Sequence, residues 1–262
     1  MLPVFPLIRW NSRSVIAFLA MLASAPLVWL AALRLSGLPP AVLPRPGMVL
    51  AVFREDGAFI AYHTWVTLYE AMLGYAIANV LAVGLAVSYL YAPRGEDFVT
   101  PWMIVIRSIP VVSFASLLVI TFGDTLTPKL IIVVLFTFFP LLANLVKGFK
   151  SADPVLVDRL RVLNATRWQI FRRVLWPSAL PYYVAAHEIA FTSSIIAAII
   201  SEWSFSRQGL GYLIIQSTES YRTDRLYAIT LVGVALALAT YLACRLWEGW
   251  LFRWKVDAAV SP

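Results

Sequence analysis

Residues 66–91 read Val66-Thr-Leu-Tyr-Glu70-Ala-Met-Leu-Gly74-Tyr-Ala-Ile-Ala-Asn-Val-Leu-Ala-Val-Gly84-Leu-Ala-Val-Ser-Tyr-Leu-Tyr91, a run whose only charged residue is Glu70. A helix of about 20 apolar residues crosses the ~30 Å hydrocarbon layer of a bilayer, and this run is longer. Similar runs occupy 15–35, 102–122, 130–147, 182–201 and 226–247. Six spans follow, because a helix satisfies its own backbone where no water is present to do so. Composition agrees: 61% of the 262 residues are apolar and 13% charged, against roughly 45–50% and about 25% in soluble domains. The expected fold is one all-α membrane domain, residues 1–262.

Charge sets the orientation. If the N-terminus is inside, the cytoplasmic side holds Arg9, Arg13, Arg94, Lys147, Lys150, Arg159, Arg161, Arg167, Arg172, Arg173, Arg245, Arg253 and Lys255, thirteen of the 21 Lys and Arg. Positive loops are retained in the cytoplasm, so both termini are expected there. The net charge of +7 is thereby explained by topology, and nucleic acid is not an expected partner. Cys244 is the lone cysteine, which excludes an intrachain disulfide. The apolar run from Val15 to Leu33 exceeds the 7–15 residues of a cleavable signal core and reads as an anchor helix. The proline-rich stretch 36–65 reads as an external surface loop with turns and a short helix, and 148–181 as the longest cytoplasmic loop.

That cytoplasmic loop reads as two short helices. Asp153-Pro154 is a helix start, since the carboxylate accepts orphan N–H groups and proline at the first position loses nothing. Leu156, Leu160 and Leu163 then form one apolar stripe, and Asn164 is placed as a left-handed terminator. Thr166-Arg-Trp-Gln169 fits a capping box and starts a second helix. Pro177 and Pro181 are expected to break the chain before the next span. Two readings stay open for this basic hairpin: a solvated loop that only sets topology, and a docking surface for a partner.

The same residues carry a resemblance. Asp158-Arg-Leu-Arg161-Val-Leu-Asn164-Ala-Thr-Arg-Trp168-Gln-Ile-Phe171-Arg-Arg-Val174-Leu-Trp-Pro177 resembles the EAA loop of binding-protein-dependent ABC importer permeases. Asp158 stands for Glu, Asn164 for Gly, Val174 for Ile and Trp176-Pro177 for Leu-Pro. Arg107-Ser-Ile-Pro110, Phe122-Gly123, Phe138-Phe-Pro140, and Glu202 with Gly209-Leu-Gly211-Tyr212 extend the similarity toward the nitrate, sulfonate, taurine and bicarbonate branch. The resemblance implies a bacterial inner-membrane permease with a type I importer bundle that moves a small solute inward, an anion such as sulfonate, nitrate or taurine among the candidates. It implies a second permease subunit in a homodimer, two cytoplasmic ATPase subunits that bind ATP and Mg, and an external binding protein. It further implies that Asp158, Arg161, Asn164, Ala165, Arg167 and Trp168 contact the ATPase. No phosphate-binding loop is present in this chain, so no cofactor of its own and no catalytic role are expected.

Polar residues in spans default to a functional hypothesis, because a charge at mid-bilayer costs about 2.5–3.5 kcal/mol on insertion scales. Arg107, Glu70 and Glu188 are the candidates for the translocation path. Interfacial placement of the two carboxylates and a structural pairing of Arg107 are the competing readings. Gly74, Gly84 and Gly233 are placed where helices could approach closely. A secondary transporter would show paired broken helices and internal symmetry, and neither is evident. An export-type ABC protein would carry long cytoplasmic helix extensions, which are not evident here. An intramembrane enzyme would use His187 with Ser193 or Ser194; no nucleophile elbow accompanies them, and His187 and Ser194 stand two turns apart. With His63 and His187 as the sole histidines and no ligand spacing around them, metal chemistry is not expected.

Overall fold

The computed structural model describes residues 12–92, 94–203 and 206–251, which form helices and turns. The expected cytoplasmic placement of both termini involves Arg9, Arg253 and Lys255, which lie outside the described residues. In chain order the helices are α1 (Ser12–Leu35), α2 (Pro46–Glu55), α3 (Gly57–Tyr91), α4 (Arg94–Ser108), α5 (Val111–Phe122), α6 (Leu126–Lys150), α7 (Pro154–Val162), α8 (Arg167–Ile170), α9 (Trp176–Glu202), α10 (Leu210–Glu219) and α11 (Thr223–Leu251). A single π turn, Phe171–Leu175, joins α8 to α9.

Among the described residues four helices are long and apolar enough to cross a bilayer: Gly57–Tyr91, Leu126–Lys150, the continuous Arg167–Glu202, and Thr223–Trp247. A fifth crossing is made if α4 and α5 together form one span, bent by 94° at the break. The run expected as a straight third span, 102–122, is therefore broken at Ile109-Pro110. Proline lacks the donor that would continue the ladder and drives the preceding residue out of the α region. Residues 57–65, expected in a surface loop, instead form the first turns of α3. The sequence Ala58-Phe-Ile-Ala-Tyr62 contains no breaker, so once Asp56 has ended α2 nothing stops the next helix.

The centre of the bundle is α6, packed between α9 and α3. Leu141, Leu142 and Leu145 of α6 are fully buried against Ala78, Ala82 and Ala86 of α3 and Ala186 and Ala190 of α9. The three α3 alanines fall at i, i+4 and i+8, a smooth stripe that lets a leucine ridge seat closely. Gly74 belongs to that stripe, and a Cβ there would stand 2.5 Å from Val133 Cγ1. Gly84 meets nothing within 4 Å and Gly233 only Ile199 Cδ1 at 3.5 Å, so of the three expected packing glycines only Gly74 makes an obligatory close approach. Helix α11 covers α9, and with α10 and α2 it encloses a second cluster around Val49, Val52, Leu210, Leu213 and Ile229.

Pro177 and Pro181 do not break the chain. Trp176 N–H donates to Phe171 O, five residues back, so the ladder widens by one residue immediately before Pro177, which has no donor to offer. Pro181 lies inside α9 and costs one donor without ending the helix.

Candidate functional site

The hairpin between α6 and α9 is capped at every end. Asp153 Oδ1 accepts from Val155 N–H at 2.8 Å, opening α7. Asn164 stands at φ 53°, and two backbone bonds close around it: Ala165 N–H to Leu160 O at 2.9 Å and Asn164 N–H to Arg161 O at 2.9 Å. This pair is a Schellman terminus with asparagine in the left-handed position. Thr166 N–H donates to Gln169 Oε1 at 2.8 Å while Gln169 N–H donates to Thr166 Oγ1 at 3.3 Å, the reciprocal capping box. All of these devices are local, each made within five residues of the chain.

Its surface mixes exposed apolar side chains with charged ones. No residue of α7 is buried, and Val162, Leu163 and Trp168 are 83%, 76% and 60% exposed. Arg161 Nη1 lies 3.1 Å from Asp158 Oδ1 on the same exposed face. The indole of Trp168 stacks on Phe171 at 5.3 Å between ring centres, and Phe171 meets Phe149 of α6 and Trp176 of α9, each at 5.9 Å. Arg167 lies 6.0 Å from the centre of the Tyr91 ring at the end of α3, and Lys150 Nζ bridges to Glu96 Oε1 at 2.7 Å, tying α6 to α4. The six sequence-predicted coupling residues are thus brought together on one hairpin moored to α3, α6 and α9.

The three path candidates lie elsewhere and apart. Glu70 pairs with Lys129 Nζ at 2.7 Å near the opposite end of the bundle, and Glu188 pairs with Arg245 Nη1 at 2.8 Å between α9 and α11. The Arg107 side chain lies outside the described residues. A cavity of about 290 Å³ opens at the elbow between α4 and α5, lined by Ile109, Phe114, Ile132, Phe136, Phe139 and Ser193 among others, with neither carboxylate on its wall.

Two polar clusters inside the bundle escaped the sequence reading. In one, Tyr183 Oη donates to Asn79 Oδ1 at 2.6 Å, and Tyr75 Oη shares a hydrogen bond with His187 Nδ1, linking α3 to α9. In the other, Glu202 Oε1 accepts from Thr67 Oγ1 at 2.7 Å and Oε2 from Gly211 N–H at 2.7 Å. Thr67 Oγ1 in turn accepts from Leu210 N–H at 2.8 Å, and His63 Nδ1 accepts from Gly209 N–H at 2.9 Å. Gly209 is required here on two counts: φ is +100°, and a Cβ would stand 2.1 Å from the Glu202 carboxyl carbon.

Residues 78–255 match the family described as binding-protein-dependent transport system inner membrane component. The chain belongs to that family. It is 30% identical over 231 residues to the riboflavin transport system permease protein RibX of Chloroflexus aurantiacus, covering 87% of this chain and 86% of that one. The formylaminopyrimidine transport permease ThiX of Halalkalibacterium halodurans is 28% identical over 229 residues, 87% and 91% of the two chains. The taurine transport system permease TauC of Escherichia coli K12 is 26% identical over 243 residues, 89% and 87%. A chain of the methionine ABC transporter MetNI, in an inward-facing form, superposes with a TM-score of 0.62 at 17% identity, over 78% of this chain and 96% of that one, which shows the fold. The protein is an ABC importer permease, a multi-pass membrane protein related to the sulfonate and taurine branch.

Within this permease, Lys129 and Thr67, like Tyr75, Asn79 and Tyr183, are residues that sequence reasoning missed. A signal for Lys129 was present: Glu70 stands four residues into the run that starts at 66 and Lys129 immediately before the run that starts at 130, so with an inside N-terminus both fall at the external side, and two opposite charges at one depth in a bilayer pair rather than stand alone. Thr67 gives no such signal, since a threonine in an apolar helix usually donates to its own backbone.

Proposed function

We propose that this permease moves a small solute into a bacterial cytoplasm by alternating access, driven by ATP hydrolysis in separate ATPase subunits that bind ATP and Mg. Two copies of the chain form the pathway across the inner membrane, with both termini in the cytoplasm and an external binding protein delivering the solute. The relatives named for riboflavin, formylaminopyrimidine and taurine take solutes that differ in size and functional groups, so solute choice rests with the binding protein. A small organic molecule or organic anion fits that range.

The observation that carries the coupling role is the uncovered hairpin, capped locally yet burying no side chain of α7. An exposed apolar surface held in a fixed shape is complete only when a partner covers it. Asp158, Arg161, Asn164, Ala165, Arg167 and Trp168 supply the ATPase contact. Because α8, the π turn and α9 are one continuous helix of 36 residues, displacement at Trp168 is passed directly to a membrane span. ATPase states that favour different hairpin positions would bias the bundle between inward- and outward-open forms.

The test is co-purification from maltoside of the native chain and of a Trp168→Ala, Arg161→Glu, Arg167→Glu variant, with mass-spectrometric identification of any ATPase subunit retained. Retention by the native chain and loss from a variant that melts at the native temperature is the expected result. Equal retention by both would remove the hairpin from the coupling role.

A further inference from the structure

Glu70, Lys129 and Glu202 come from three helices, α3, α6 and α9, and meet at the end of the bundle that carries α10. They are 3%, 8% and 1% exposed. Lys129 Nζ is 2.7 Å from Glu70 Oε1, and Glu202 Oε1 is held at 2.7 Å by Thr67, one turn before Glu70 on the same face of α3, which brings the two carboxyl groups to one site. Two carboxylates and one ammonium leave an excess negative charge in an almost dry site. One oxygen completes the puzzle: Glu70 Oε2 is fully buried and has no hydrogen-bond partner among the described residues.

A buried carboxylate oxygen facing a second carboxylate is repelled; facing a carboxylic acid it accepts a hydrogen bond. One proton between the two groups therefore removes the excess charge and satisfies the orphan oxygen together. Other charged or titratable groups nearby do not do either. Lys129 is engaged with Oε1, His63 spends Nδ1 on the Gly209 N–H, and Asp124 adds further negative potential at Glu70. Arg225 is directed at Asp56 and over the Phe59 ring. On Glu202, the Thr67 hydroxyl and the Gly211 N–H each occupy one lone pair of a different oxygen, so either oxygen can still carry a proton toward Glu70.

We propose that Glu70 and Glu202 form a proton-binding site, holding one proton between them so that the Glu70–Lys129–Glu202 triad is neutral. The bound proton closes a clasp: it joins α3 to α9 directly, while Lys129 adds α6 and the Thr67 and Gly211 bonds add the start of α10. Loss of the proton would set two carboxylates against each other at the base of the 206–211 turn and loosen that turn from the bundle. The site stands independently of the transport reading, since it rests on charge count and geometry alone.

The experiment is infrared spectroscopy of the full chain, labelled with 13C at the glutamate side-chain carboxyl and purified in an ester-free maltoside at neutral pH. A protonated carboxyl shows a carbonyl band that ionised carboxylates lack, and the band should shift in D2O. The native protein should show it, and both Glu70→Gln and Glu202→Gln should abolish it. In Glu70→Gln the triad is neutral without the extra proton, because an ionised Glu202 faces Lys129 and a neutral amide donor. That variant should accordingly keep the native melting temperature, whereas Glu70→Leu, which offers neither Lys129 nor Glu202 a polar partner, should not. Absence of the band from the native protein at neutral pH would overturn the proposal even if neither variant folds, and so would its persistence in either glutamine variant.

Discussion

Gly148 sits at a close approach of α6 and α9, and replacing it by alanine tests whether that crossing holds the bundle together. A Cβ at Gly148 would stand 2.7 Å from Ala179 Cα and 2.9 Å from Ala179 Cβ. Carbon atoms rest at about 3.5–4.0 Å from one another, so the helices must separate locally by roughly 1 Å. Both opposing atoms belong to a helix rather than to the end of a flexible side chain, so the strain spreads into the cluster of Leu141, Leu145, Phe149 and Ala179. Overpacking of this kind costs about 1–3 kcal/mol. Against it stands the gain of about 1 kcal/mol in helix propensity when glycine becomes alanine. Gly84→Ala provides the reference, because nothing lies within 4 Å of a Cβ there and only the propensity gain applies. The difference between the two variants isolates the packing cost. At about 2–4 °C per kcal/mol, Gly148→Ala should melt roughly 2–12 °C below Gly84→Ala. Intrinsic tryptophan fluorescence during a thermal ramp in detergent reads this directly. If the two variants melt together, the α6–α9 crossing is not the tight contact described here.

The hairpin yields two further expectations. Asn164→Gly should leave the α7 terminus intact, whereas Asn164→Val forces a β-branched residue to φ 53° at a cost of about 1–2 kcal/mol; limited proteolysis should cut only the valine variant in this hairpin. Thr166→Ala removes one side of the capping box and about 1 kcal/mol of local stability, so the Gln169 amide should exchange with deuterium roughly five times faster in mass spectrometry, and an unchanged rate would show that the cap is idle.

Much of this architecture was legible because it is local. The apolar runs at 66–91, 130–147, 182–201 and 226–247 located four spans, since the bilayer reads hydropathy residue by residue. Asp153, Thr166 and Gln169 marked the hairpin because each cap is made by a side chain and a backbone group only two or three positions apart, and Asn164 because it tolerates the left-handed conformation at a helix end. The same locality explains the misreading of Pro177 and Pro181. Proline as a breaker is a rule for a regular α ladder, and the π turn at Phe171–Leu175 changes that ladder's register just before Pro177.

The remaining features depend on which helices become neighbours. Glu70 read alone is an expensive charge in a span, and Glu202 read alone is the end of one. Only packing puts Lys129 beside the first and Thr67 beside the second, across separations of 59 and 135 residues along the chain. The sequence by itself determined a helical membrane protein, its family and a self-capped hairpin, because hydropathy and capping act over a few residues. Tertiary structure decided the bend at Pro110, the Gly148 crossing and the buried triad, because close approach and charge pairing depend on distances between helices that no stretch of sequence contains.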